Sequence, residues 1–387
     1  MQSKKGLINQ CWQKVPEAEQ VWLYPYFRKP SVTCSNAYVL LFPESIVIID
    51  PGADPFQGKQ IFKLLKSQLN QKDYSIFIWL THTHFDHFLC IKDFIAHRLP
   101  IKLACLDCGA KVLGAKDTKY AIADLFGYSM PEVSYIPKLN IKKYLAHLAL
   151  ELQDANALEM LYTPGHTPCS LCFRLGKLLF VGDQPFAMEP GIAGLAGWNR
   201  DHLMDSLLKI INVLQQKGID YILPGHGYAF DRHKAISIFT QALQSCREKT
   251  DLLPLDKQRI QYLFNFARIL LHEASSILGI ISGRLLKTAH YLEMLEEKEF
   301  AHELMRIVDL NSLDNFCQEF YRFSNNFSND YEMKVPFMLK GAQFVKKMHK
   351  LISPDKISNY VEDSLLRRWQ RLLDDYLTAV QGVSFSY

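Results

Sequence analysis

The chain has 387 residues, of which 48% are apolar, 22% charged and 12% aromatic. That length suits two domains of roughly 100–200 residues each, and the composition excludes disordered, collagen-like and fibrous classes. The formal net charge is +4, all of it carried by residues 1–235, because the remainder holds 19 basic and 19 acidic side chains; so weak a bias excludes a basic nucleic-acid stripe.

Predicted elements alternate over the first 230 residues. Strands are expected over 21–24, 37–42 and 45–50, a helix over 57–69 and a strand over 75–80, which is rich in β-branched and aromatic residues. Strands over 158–162, 170–175 and 177–181 follow, the last two joined by the tight-turn signal Gly176-Lys177. A helix over 202–216 and a strand over 220–223 complete the series. Strands interleaved with helices imply an α/β layer architecture.

Past residue 235 the strand signals stop. Leu263, Ala267, Leu270, Ala274, Ile277 and Ile281 recur every three or four residues, a heptad-like seam. Gly279 and Gly283 interrupt it with small residues, which predicts either a close helix contact or a break. Helices are also expected over 313–323, 336–351 and 357–380. The division is therefore 1–235 for an α/β domain and 236–387 for an all-helical one.

No unbroken apolar run approaches the ~20 residues of a membrane span. Residues 1–10 contain two lysines without an apolar stretch behind them and do not read as a secretory signal. Nine cysteines, an odd number scattered along the chain, fit free thiols in a reducing compartment. The pairs Cys105/Cys108 and Cys169/Cys172 are some 60 residues apart, against the roughly 15–20 of a zinc ribbon, so they read as apolar packing residues. The expectation is a cytoplasmic protein with no membrane and no nucleic-acid partner.

The chemistry concentrates in the histidines. The strand over 75–80 runs into Thr81-His-Thr-His-Phe-Asp-His87, which puts His82, His84, Asp86 and His87 on one turn. His166 lies in Thr163-Pro-Gly-His-Thr167, Asp183 in Phe180-Val-Gly-Asp183 and His226 in Leu223-Pro-Gly-His-Gly227, each soon after a predicted strand. Imidazole and carboxylate suit zinc and similar divalent ions. The glycines let the backbone turn sharply at strand ends, where α/β folds build sites. Of the other histidines, 97, 147, 202, 233, 290, 302 and 349 fall in no ligand-spaced motif and read as ordinary surface or core residues.

Those motifs, in that order and with Ile48-Ile-Asp-Pro-Gly52 upstream, resemble the metallo-β-lactamase-fold metallohydrolase superfamily over residues 20–235. The resemblance implies a four-layer αβ/βα sandwich with a dinuclear site at one edge. His82, His84 and His166 would hold one ion, Asp86, His87 and His226 the other, and Asp183 would bridge them. Asp50 would orient a ligand histidine through its other N–H. Two divalent ions are thus implied, with zinc expected and iron or manganese also compatible. They would bridge a water, lower its pKa to roughly 7 or below and polarise the attacked oxygen; Asp86 would orient that hydroxide or accept its proton, and Asp86 and Asp183 are the expected catalytic carboxylates.

The substrate is narrowed by exclusion within the family. His166 and Asp183 are 17 positions apart, and Asp183 and His226 are 43 apart, which leaves no room for the domain that nucleic-acid-cleaving members insert. Flavin-linked diiron members typically carry Glu where this chain has His84, and class B antibiotic hydrolases lack an aspartate like Asp183. The expectation is a hydrolase of a small ester, thioester, lactone or phosphoester. Trp198 and Arg200 end a glycine-rich loop that starts beside Asp183 and are candidate substrate contacts; the competing expectation is a helix entry capped by Asn199. Residues 271–283, with His272-Glu273, are similar to the His-Glu helix of histidine-kinase dimerisation domains, although no glycine-box ATP-binding domain follows. A diiron oxygen-responsive or signalling protein is therefore the alternative reading. The helical domain is expected to wall the pocket, to mediate a homodimer or to bind a partner.

Overall fold

The computed structural model describes residues 6–29, 31–133, 136, 138–140, 158–216, 218–248, 254–326 and 331–381. His147, read above as an ordinary histidine, lies outside them. The chain forms two compact units, Met1–Pro254 and Leu255–Tyr387.

The first unit holds two sheets. One has seven strands in sequential order: β1 (Gln13–Val15), β2 (Ala18–Tyr26), β3 (Ala37–Leu41), β4 (Ser45–Ile49), β5 (Ser75–Trp79), β6 (Ile101–Cys105) and β7 (Lys138–Asn140). Its first four strands are antiparallel, and β4 to β7 pair in parallel. The other has five: β8 (Leu158–Tyr162), β9 (Leu171–Leu175), β10 (Leu178–Gly182), β11 (Tyr221–Pro224) and β12 (Phe230–Asp231), in which only β10 and β11 are parallel. Helices α1 (Pro55–Leu69), α2 (Ile91–Ala96), α3 (Asp107–Gly114), α4 (Ala123–Phe126), α5 (Arg200–Gln216) and α6 (Arg232–Glu248) complete the described part of this α/β sandwich.

The local chemistry explains these elements. Every residue of β4 and β10 is buried, as expected of apolar runs in parallel pairing with both faces covered. Their inward side chains meet in one core: Val47 and Ile49 join Trp79, Phe173, Phe180 and Leu223. Trp79 lies 5.0 Å from Phe173 and Tyr38 lies 5.2 Å from Phe180, ring to ring, so aromatic pairs fasten one sheet to the other. Helix α1 begins where the Asp54 side chain accepts from Phe56 N and Pro55 occupies the first turn.

Strand β6 and helix α6 were not anticipated. Ile101-Lys-Leu-Ala-Cys105 is short and lacks a clear alternation, and its pairing with β5 is what makes it a strand. Helix α6 packs on α5 within the first unit, so the compact units divide at Pro254 rather than at residue 235, where strand signals end. Of the two Cys-x-x-Cys pairs, Cys105, Cys169 and Cys172 are buried and none of the four is in a disulfide; burial pushes the Cys172 thiol up to about 12.

The second unit is built on α7 (Lys257–Met294), a 38-residue helix. Around it pack α8 (Lys298–Ile307), α9 (Leu310–Asn325), α10 (Tyr331–Leu351) and α12 (Asp363–Gln381), the short α11 (Pro354–Ile357) preceding the last. The six residues of the heptad seam are all buried inside this unit, so the seam is filled by helices of the same chain. Gly279 and Gly283 do not break α7. The predicted helix over 357–380 is divided between α11 and α12, and Pro336 lies inside α10 rather than at its start. By length and composition α7 is apolar enough to cross a membrane, and half of its most apolar stretch is buried inside the protein.

Candidate metal centre

Four of the loops that carry the expected site residues leave the carboxyl ends of strands that pair in parallel. Asp50 follows β4, the turn with His82, His84, Asp86 and His87 follows β5, Asp183 follows β10 and His226 follows β11. His166 follows β8. The loops are stitched together by backbone: Leu171 N donates to Thr81 O at 2.7 Å, Gly225 N to Gly182 O at 2.7 Å and Gly52 N to His87 O at 3.1 Å. Glycine is obligatory at 225, where a Cβ would overlap Asp183 Oδ1 and press on His87 Cε1.

The structure brings all seven expected ligand residues together in two groups. In the first, His166 Nε2 lies 3.2 Å from His82 Nε2 and 3.1 Å from His84 Nδ1. Donor atoms around a tetrahedral zinc at its usual bond lengths are roughly 3.3–3.4 Å apart, so three lone pairs already converge at coordination spacing. In the second group, Asp86 Oδ2 lies 3.4 Å from His87 Nε2 and 3.1 Å from His226 Nε2. Asp183 Oδ2 faces both groups, 3.4 Å and 3.3 Å from His87 Nε2 and His226 Nε2, and 4.0 Å and 3.9 Å from His82 Nε2 and His166 Nε2. Within each group one donor atom per residue lies within 4.8 Å of the others, Asp183 being counted with the second.

Tautomers are fixed from behind. Asp50, left-handed at φ +50°, accepts from Thr81 N at 2.8 Å and from Thr81 Oγ1 at 2.6 Å, and its Oδ2 lies 3.0 Å from His87 Nδ1. His87 therefore donates through Nδ1, and Nε2 is the ring nitrogen it turns to the cluster. Thr81 gives its only hydroxyl proton to Asp50, so it accepts from His82 Nδ1 at 3.1 Å, which bares His82 Nε2.

Electrostatics divide the groups. Burial and the neighbouring imidazoles hold His82 and His84 well below the usual histidine range and, led by burial, His166 at about 4. Burial opposes charge on His226 too, but Asp183 and Asp86 outweigh it and raise its pKa to about 10. His87 is raised for the same reason by Asp86, Asp183 and Asp50. Against its own burial, Asp183 is held well below the carboxylate range by His226 and His87. The neutral imidazoles of His82, His84 and His166 and the ionised Asp183 are in the protonation states that ligate cations, whereas His87 and His226 hold protons that a bound cation would displace. Asp183 Oδ1 and His87 Nε2 are buried without a hydrogen-bond partner, an arrangement costly without a cation. The donor set thus fits two divalent ions.

The loop residues behave differently. Arg200 Nε donates to Cys246 O at 2.7 Å, so this side chain ties α5 to the end of α6 and is not available as a substrate contact through that nitrogen. Trp198 Nε1 donates to Ala187 O at 2.8 Å, which closes the glycine-rich loop on itself. The competing expectation holds here: Asn199 Oδ1 accepts from His202 N at 2.9 Å and caps α5.

Sequence reasoning missed Asn36 and Tyr38. Asn36 Nδ2 donates to Pro224 O at 3.0 Å and Gly227 O at 2.7 Å, and Tyr38 Oη to Pro224 O at 2.6 Å, clamping the loop that carries His226. Their partners are some 190 residues away in sequence, and no local pattern signals such a contact.

The chain is 27% identical over 209 residues to the "Probable metallo-hydrolase MJ0888" of Methanocaldococcus jannaschii, which spans 51% of this chain and 90% of that protein. It is 28% identical over 199 residues to the "Probable metallo-hydrolase YqgX" of Bacillus subtilis, spanning 50% and 85%. Among solved structures it is similar to the metallo-beta-lactamase FIM-1 from Pseudomonas aeruginosa in its mono-zinc form, at 16% identity and a TM-score of 0.42 over 64% of this chain and 98% of that one. The family model described as the metallo-beta-lactamase superfamily matches residues 32–226, just over half the chain and the whole span from Asp50 to His226. The chain therefore belongs to the metallo-beta-lactamase superfamily.

Proposed function

We propose that the protein is a dinuclear metal-dependent hydrolase of a small ester, thioester, lactone or phosphoester. The observation that carries this reading is the position of Asp183 Oδ2, within 4.0 Å of donor nitrogens in both groups. His82, His84 and His166 would hold one ion, Asp86, His87 and His226 the other, with Asp183 between them. The ions supply Lewis acidity and a water of lowered pKa. The names of the two curated relatives, both probable metallo-hydrolases, support hydrolysis.

The remaining work falls to side chains of this chain. Asp50 and Thr81 hold a proton on Nδ1 of His87 and His82, which leaves Nε2 of each as the nitrogen that would face an ion. Asp86 turns Oδ2 towards His87 and His226, and its other carboxylate oxygen is the group we assign to take the proton of the attacking water. Zinc is the expected metal, with iron and manganese accepting the same donors.

The experiment is elemental analysis of wild type and Asp183→Asn together with a panel of esters, thioesters, lactones and phosphodiesters. Wild type should carry about two ions per chain, and the variant should lose at least one. Losing several kcal/mol of charge stabilisation corresponds to a rate lower by on the order of 10³-fold. A fully metal-loaded, fully active Asp183→Asn protein would refute the bridging role.

A further inference from the structure

The buried seam of α7 has an exposed counterpart. Tyr262, Phe266, Ile269, Ile280, Tyr291 and Met294 are large apolar side chains left in solvent on this helix, from 38% exposed at Phe266 to 69% at Met294. At 100° per residue they fall within a stripe about 80° wide, centred roughly 100° round the helix from the buried seam, and Leu286, also exposed, lies off it. Glu273, Ser276 and Lys287 occupy the same stripe and are also exposed. A single exposed apolar residue needs no explanation, whereas six aligned on one stripe over nine turns do.

Three pairs of positions on the stripe are symmetric about Ile280. Phe266 and Met294 lie 14 residues to either side, Ile269 and Tyr291 lie 11, and Glu273 and Lys287 lie 7. Two copies of the helix placed antiparallel across a two-fold axis at Ile280 would therefore set Phe266 on Met294, Ile269 on Tyr291 and Glu273 on Lys287, each pair occurring twice. A parallel pairing would oppose Glu273 to Glu273 and Lys287 to Lys287, which repel. Around the axis, Ser276, Gly279, Ile280 and Gly283 form a four-residue hole at the i, i+3, i+4, i+7 spacing that receives a knob in helix packing. A Cβ at either glycine would meet nothing within 4 Å, so there is room for the partner's side chain.

We propose that this stripe is an isologous dimer interface: a second copy of the chain docks antiparallel on α7 about Ile280. Self-complementary apolar and charged pairs on one surface are what a two-fold interface requires. The same glycines that leave α7 unbroken then serve contact between chains, while the buried seam serves contact within one.

Sedimentation velocity on the full-length protein across the micromolar range should show a reversible monomer–dimer equilibrium. Ile280→Asp should weaken it by at least about tenfold. Glu273→Lys and Lys287→Glu should each weaken it, and the combined swap should restore it, because only antiparallel pairing re-forms the opposite charges. A zero-length carbodiimide cross-link between Glu273 and Lys287 needs no variant. These residues are about 21 Å apart along one helix, so any such link joins two chains. A monomer at every concentration, or a dimer without the link and indifferent to both single swaps, would overturn the proposal. So would wild type that binds phosphatidylcholine vesicles as a monomer and loses that binding in Ile280→Asp, which would assign the stripe to lipid.

Discussion

The two units bury different things. Among the described residues the first buries Asp50, His82, His84, Asp86, His87, His166 and Asp183, together with Thr81 and Thr83 between them. The second buries Ser275, Ser282, Ser324 and Lys334 as its polar residues, around a core of Phe316, Phe320, Phe344, Trp369 and Tyr376. Two of its serines satisfy each other: Ser324 Oγ donates to Ser275 Oγ at 3.0 Å. Burying a carboxylate or an imidazole is costly unless a partner or a cation compensates, so the first unit is organised around a site and the second around packing. Titratable groups in the helical unit, His272 included, lie largely at its surface.

The largest test of that contrast is Trp369→Ala. Trp369 is fully buried, and deleting a buried indole should cost about 3–5 kcal/mol. Calorimetry should show a lower-temperature transition for the helical unit with the metal content unchanged; a fall in metal content would erase the distinction between the units. Asp50→Asn tests the other side. It should weaken metal binding by about 10–100-fold through loss of the acceptor for His87 and Thr81, with the folded circular dichroism spectrum retained. Unaltered affinity in a competition titration would remove Asp50 from the site.

A pH titration of the chelated, metal-free protein sharpens the comparison further. His166 sits at about 4 when folded, and His82 and His84 are lowered as well, while an unfolded histidine titrates near 6.5. Between these values the unfolded chain binds protons that the folded chain does not, so stability should fall as pH drops from about 6.5 to about 4. His226, raised to about 10, contributes stability that is fully present below about 6.5 and lost as pH rises through about 10. Both slopes should be confined to the transition of the first unit. The smallest effect is expected for Arg200→Ala, which removes one hydrogen bond to Cys246 O and should cost about 1 kcal/mol with KM unaltered on any substrate found. A raised KM would return Arg200 to the pocket.

Much of the first unit was legible because its information is local. Ser45-Ile-Val-Ile-Ile49 and Ser75-Ile-Phe-Ile-Trp79 are strands by composition, and a histidine turn directly after such a strand can only emerge at a sheet end. Strand β6 was not legible, because five residues of middling propensity become a strand only when β5 offers a ladder. In the helical unit, periodicity predicted the helices but not that Gly279 and Gly283 would stay within one: packing along α7 outweighs the roughly 1 kcal/mol that each glycine costs.

The sequence by itself determined the candidate ligand residues, their order and their attachment to strand ends, because metal-ligating residue types at short spacing on a turn are a local property. Tertiary structure alone decided how those residues meet. The convergence of His82, His84 and His166, the position of Asp183 between two groups, and the clamp of Asn36 and Tyr38 on the His226 loop all join segments distant in sequence. It likewise decided which apolar stripe of α7 is core and which is left to solvent, because periodicity marks a helix face without saying what covers it.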